Sequence, residues 1–183
     1  MGKKPPWLQQ ISSYQKKESK FSSSRYVQLS TIGIDSCPRV RTVVFRGWSD
    51  SYKMKIFTDK RSIKIKEINK NKNVEICWYF QKSRCQFRLR GIATKDFGND
   101  YFNCWNNLKD EAKSTWGGAT PGNKYISDNN IGRSVNQNSG LIDNFILLKI
   151  EIIHVDKLLL SKPNHFRVRW VLNNQWYEER INP

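Results

Sequence analysis

Acid is in short supply in this sequence. Its 183 residues contain 16 Asp+Glu against 32 Lys+Arg, a formal net charge of +16. Such a surplus favours phosphates, nucleic acids or anionic membranes as partners and names none of them. Histidine is scarcer still, with only His154 and His165. The four cysteines (Cys37, Cys77, Cys85 and Cys104) form no CxxC pair. That supply gives no zinc-type spacing, so no metal site is expected. Cys77 and Cys85 fall inside strand patterns, where buried free thiols are ordinary. No apolar run approaches the ~20 residues of a membrane span. Residues 1–24 lack the apolar segment of a signal peptide. The expectation is a protein of the reducing cytoplasm, off the membrane. The catalytic patterns GxSxG and HExxH and the Walker loop are also missing. Chemistry, if present, would belong to a bound cofactor.

What is present is a foldable chain, 38% hydrophobic and 13% aromatic, with seven Trp. Its length suits one domain over 1–183. Trp7, Leu8, Ile11 and Tyr14 recur at helical spacing, predicting a helix from Pro5 to Ser19 and a linker to residue 24. From Arg25 the period approaches two. Strands are expected at Arg25 to Gly33, Val40 to Trp48, Tyr52 to Thr58, Val74 to Phe80 and Arg84 to Thr94. Asp59 would cap a helix from Lys60 to Asn71. A further helix is expected from Gly98 to Ser114, and a long loop over 115–141. Closing strands are expected at Phe145 to Val155, around Phe166 to Leu172, and at Trp176 to Ile181. The sum is a mainly β protein, an antiparallel barrel with flanking helices.

Four basic constellations follow. At the strand-to-helix junction from Phe57 to Lys64, Thr58 and Ser62 offer hydroxyls, and Arg61 and Lys64 offer charge. A helix start there would bind an anion; a solvated helix face is the plainer alternative. On the strand at residues 39–46, Arg41 shares a face with Val43 and Phe45. It is expected to have a specific partner, a ligand phosphate or an internal carboxylate. Arg46 has the opposite parity, so one ligand could engage both only through a bulge. Arg84, Gln86, Arg88 and Arg90 line the outer side of their strand, facing solvent, a subunit or a ligand. Arg167 and Arg169 share one face of a late strand.

Arg41-Thr42-Val43-Val44-Phe45-Arg46, then Ile56-Phe57-Thr58, then Ser62-Ile63-Lys64, then Gln86, resemble the FMN-binding series of the pyridoxamine 5′-phosphate oxidase family in order and spacing. The likeness is strongest from Phe57 to Gly91 and continues weakly to the Arg180-Ile181-Asn182-Pro183 ending. It implies a split antiparallel β-barrel, a homodimer with FMN at the subunit interface, and an oxidoreductase of unassigned small-molecule substrate. It would place Arg41 and Lys64 on the FMN phosphate, with Ser62 nearby. Thr42, Val43, Val44, Arg46, Phe57 and Thr58 would line the cofactor, and Gln86 and Arg169 would approach its ring. Arg46, Tyr101 and Arg167 would meet the substrate.

The sequence departs from that family at several points. Ser62-Ile63-Lys64 replaces Ser-Arg-Lys, so one phosphate-binding Arg is missing, with Arg61 as a possible substitute. Trp105 and Lys109 stand where the family has a substrate-phosphate Arg and Ser. His165-Phe166-Arg167 inverts the family's Arg-x-His. The pattern therefore points to a divergent subgroup. The alternative function is a basic β-barrel that binds single-stranded nucleic acid through interleaved aromatics and arginines. A third reading is the same fold holding another planar ligand, such as haem, through His154 or His165.

Overall fold

The structure is a computed structural model that describes residues 4–125 and 143–183. Its eight strands form one antiparallel sheet in the order β3-β2-β1-β4-β5-β6-β7-β8. They are β1 (Tyr26–Ile32), β2 (Pro38–Trp48), β3 (Met54–Asp59), β4 (Asn73–Phe80), β5 (Cys85–Asp96), β6 (Phe145–Leu159), β7 (Phe166–Asn173) and β8 (Gln175–Ile181). A further pairing of β3 with β6 closes the first six into a barrel, which removes the free edges an open sheet would expose. The barrel expectation is met.

β6 has two jobs. Its first half, Phe145–Ile150, makes the seam with β3, and its second half, His154–Leu159, carries β7 and β8 away from the barrel. Between the halves the register against β5 slips, leaving Ile153 as the extra residue of a bulge opposite the Arg90–Gly91 step. Gly91 permits this bend. A Cβ there would lie 2.4 Å from the Glu151 carbonyl oxygen and 2.9 Å from Ile150 Cγ2.

Alternation along the strands fills the barrel. Val27 and Leu29, Ile56, Ile76, Trp78 and Phe80, and Phe87 and Leu89 all point inward and are buried. Helix α1 (Pro6–Lys17) adds Trp7, Leu8 and Ile11 to the same core. A second core lies outside the barrel wall. There Phe57, Phe145 and Leu147 meet Tyr101 and Trp105 of α3 (Asn99–Asn106), together with Trp116.

The helical expectations need two corrections. Helix α2 spans Ile63–Lys70, not Lys60 to Asn71. The Asp59 carboxylate accepts from the Arg61 backbone N–H and grips the Arg61 side chain. Residues 59–62 thus form a separate turn, and the helix starts after Ser62. The expected helix from Gly98 to Ser114 is two, α3 and the single turn α4 (Asp110–Lys113), followed by a 3₁₀ turn at Ser114–Gly117. Trp105 and Trp116 can then both pack on Phe145. Most of the expected 115–141 loop lies outside the described residues.

Candidate functional site

At the end of the barrel covered by α2, four of the expected residues lie close together. Thr58 ends the inward face of β3 and is buried. Lys64, in the first turn of α2, donates from Nζ to Thr58 Oγ1 at 3.0 Å. The Ser62 hydroxyl lies 3.5 Å from that of Thr58 and bonds the Asp59 carbonyl at 2.7 Å. Arg41 reaches in from β2. Burial lowers the pKa of Lys64, and the nearby Arg41 guanidinium lowers it further, against the opposing pull of Asp59 and Glu67. Two cations are therefore held side by side, one of them half-buried.

Sequence reasoning missed the groups that orient Arg41. Glu67, on α2 and 1% exposed, accepts from Arg41 Nη2 at 2.8 Å. The hydroxyl of Thr31 donates to the same carboxylate at 2.6 Å and accepts from Arg41 Nη1. Of the two partners expected for Arg41, the carboxylate is present. The only signal for it in the sequence was Glu67 recurring three residues after Lys64, on one side of the helix. Arg61, the candidate substitute for the missing family arginine, is engaged by other groups of the chain. Asp59 binds it through Nε and Nη2, and the carbonyls of Trp116 and Gly118 accept from Nη2 and Nη1.

Arg46 lies elsewhere. The β2–β3 register shifts between Phe45 and Trp48, and Gly47 has φ +100°. Arg46 remains on the outward face beside this bulge, with its guanidinium 5.2 Å from the centre of the Phe57 ring. Phe57 is half-buried and meets Phe145 edge-on. Thr42 is exposed, while Val43 and Val44 are half-buried in β2. Neighbouring β3 residues thus serve two surfaces, Thr58 the cation cluster and Phe57 the outer wall.

The remaining expected residues occupy other surfaces. Gln86 is half-buried on the outer side of β5 and donates to Cys77 Sγ at 3.3 Å. Arg167 and Arg88 both bind Asp156, at 2.8 and 3.0 Å. Burial alone would raise the Asp156 pKa; the two arginines overcome it and hold the carboxyl below its usual value. Arg169 pairs with Glu179. Tyr101 is in the second core, where its hydroxyl donates to the Phe145 carbonyl at 3.4 Å. Trp105 is buried in the same core, and Lys109 stands exposed just before α4. His154 has a lowered pKa, chiefly through burial, and its Nδ1 has no partner among the described residues. No group of three or more potential metal ligands occurs among those residues.

A closed antiparallel barrel with a half-buried lysine, an arginine and two hydroxyls at one end defines a class of barrel protein with the groups an anion site requires. The particular family is shown by comparison with known proteins. Residues 4–95 match the family model described as pyridoxamine 5′-phosphate oxidase, FMN-binding domain. The chain is 32% identical over 194 aligned positions to pyridoxine/pyridoxamine 5′-phosphate oxidase 2 of Arabidopsis thaliana, covering 97% of each chain. It superposes on a pyridoxamine 5′-phosphate oxidase-related, FMN-binding protein from Nostoc punctiforme with a TM-score of 0.89, at 30% identity and complete coverage of both chains. PhzG from Burkholderia lata shares the fold (TM-score 0.84, 14% identity, 96% of this chain and 91% of that one). The chain belongs to the pyridoxamine 5′-phosphate oxidase FMN-binding family, a split-barrel family, and FMN is its cofactor.

The cluster suits that cofactor. A phosphate bearing two negative charges needs cations and hydroxyl donors. Arg41, Lys64, Thr58 and Ser62 supply them, and among the described residues Glu67 is the only carboxylate salt-bridged to either cation.

Proposed function

We propose that this protein is a flavin-dependent oxidoreductase of a small molecule, working as a homodimer with FMN between the subunits. The observation that carries the reading is Lys64: a half-buried ammonium bonded to Thr58, beside Arg41, with no salt-bridged carboxylate of its own among the described residues. Arg41 and Lys64 would hold the FMN phosphate, helped by Ser62 and Thr58. Thr42, Val43, Val44, Arg46 and Phe57 would flank the cofactor, and Gln86 and Arg169 would approach its ring. When bound, FMN supplies the capacity to accept and give up a hydride. The chain's residues position it, charge its surroundings and bind substrate.

A dimer is supported by where these residues stand. Gln86, Arg167 and Arg169 lie on the outer sheet of β5 to β8, apart from the α2 end of the barrel, so a second copy is the natural source of whatever completes each site. Of the residues assigned to substrate, Arg46 is exposed, Tyr101 is in the second core and Arg167 is held by Asp156. The free cysteines suit the cytoplasm, where we place the protein. Among the described residues, no helix is long and apolar enough to cross a membrane.

The test is titration of FMN with purified protein, read by quenching of flavin fluorescence and by the visible spectrum of protein purified with added FMN. Saturable quenching and a bound-flavin spectrum are expected; their absence would overturn the reading. Turnover would then be sought with FMN-loaded protein and a panel of reduced amines and alcohols, following flavin bleaching.

A further inference from the structure

Helix α2 turns a second side toward a space that the cofactor does not account for. Lys64 and Glu67 serve Thr58 and Arg41. Ile65 and Asn69 instead line a cavity of about 550 Å³, shared with Lys60, Lys95, Phe97 and the start of β6. A second cavity of about 420 Å³ has Asn69, Lys95 and Phe97 in common with the first and continues to Lys72. The two make one trough between α2 and the end of β5, of a size that holds a small organic ligand.

Charge is sorted around this trough. The acids on its flanking segments are turned to other partners: Asp59 binds Arg61, and Asp96 and Asp100 both bind Lys149. Lys60, Lys72 and Lys95 are exposed and form no salt bridge among the described residues. Among those residues Asp143 is the one carboxylate that lines the trough. Three unpaired ammonium groups against one carboxylate favour an anion. Phe97 stands in the shared stretch, 59% exposed, with its ring centre 5.9 Å from that of Tyr101. An exposed ring held in place by another is a platform on which a planar heterocycle stacks. The Asn69 amide makes no side-chain hydrogen bond among the described residues, so its donor and its acceptor are both open. That adjacent donor and acceptor match the N7 and N6–H₂ edge of adenine.

We propose that the trough between α2 and the end of β5 binds an adenine nucleotide, with the base on Phe97 and Asn69 and the phosphate among the lysines of the rim. The site lies on the other side of α2 from the cation cluster, and it does not depend on the oxidoreductase reading.

The test is calorimetric titration of the FMN-loaded protein with AMP, UMP, adenosine and inorganic phosphate. Loading with FMN keeps the probes off the Arg41 and Lys64 cluster. AMP should bind saturably, about tenfold or more tighter than each of the other three, since only AMP offers the adenine edge, the stacking ring and the charge together. Phe97→Ala should weaken AMP about tenfold, as the loss of a base-stacking partner predicts. Asn69→Ala should bring AMP down to the level of UMP. Lys95→Gln should weaken AMP and leave adenosine unchanged. All three variants should keep the FMN affinity of the wild type. Binding of no nucleotide, phosphate or UMP binding as tightly as AMP, or unchanged AMP affinity in Phe97→Ala or Asn69→Ala would each overturn the site. If the wild type takes up no FMN, the oxidoreductase reading fails, and AMP titration of the Arg41→Ala, Lys64→Ala double variant still decides the trough.

Discussion

Glu67 holds Arg41 from below: its Oε2 accepts from Arg41 Nη2 at 2.8 Å, and Thr31 adds a hydrogen bond to the same oxygen. A buried carboxylate in this position fixes the guanidinium and balances part of its charge. Removing one partner of such a pair leaves the other buried and unpaired, at a cost of about 3 kcal/mol or more. Glu67→Gln should therefore lower the unfolding free energy by roughly that amount in urea titrations. It should also weaken FMN binding, though less than loss of Arg41 itself.

Arg41→Ala combined with Lys64→Ala removes both proposed phosphate cations. Each charge-assisted hydrogen bond contributes about 1.5–3 kcal/mol, so the double variant should lose on the order of 100-fold or more in FMN affinity. Fluorescence titration measures this directly. Unchanged affinity would move the cofactor phosphate to another part of the molecule.

Gly91→Ala tests the bend of β6. The added methyl would meet the Glu151 carbonyl and Ile150, neither of which is the far end of a long flexible side chain. Overpacking of this kind costs about 1–3 kcal/mol. Thermal unfolding should show a lowered midpoint, with β6 displaced from β5 at the bulge.

Asp156 gives a prediction in pH. Its folded pKa lies below the ordinary value of 3.8 because Arg167 and Arg88 outweigh burial. A depressed carboxyl pKa contributes stability that is complete above the unfolded value and is lost as pH falls through the folded one. The stability difference between wild type and Asp156→Asn should thus be constant from neutral pH to about 4. It should shrink on further acidification. Urea midpoints across that range measure it.

The strands were legible because their burial alternates: Cys85, Phe87 and Leu89 face in while Gln86, Arg88 and Arg90 face out, as the period of two required. The cation cluster was legible in part, through the order of Arg41, Thr58, Ser62 and Lys64. What stayed hidden depended on partners distant in sequence. Local sequence places Glu67 beside Lys64 but does not tell that it meets an arginine 26 residues earlier, or that Asp156 gathers Arg88 from 68 residues away. The start of α2 was misjudged because Asp59 is a good capping residue that here serves a turn and a salt bridge. The break between α3 and α4 reflects tertiary packing on Phe145, which overrides local helix preference.

Thr58 faces two ways at once. Its hydroxyl accepts from Lys64, while its backbone carbonyl accepts from the indole N–H of Trp116 at 3.1 Å. The aromatic cover outside the barrel and the cation cluster at its end are therefore joined through one residue. Indole emission responds to the strength of its hydrogen bond and to the field around it. A change of charge at Lys64 should therefore alter the emission of Trp116, which would make that indole an optical gauge of occupancy at the proposed phosphate end.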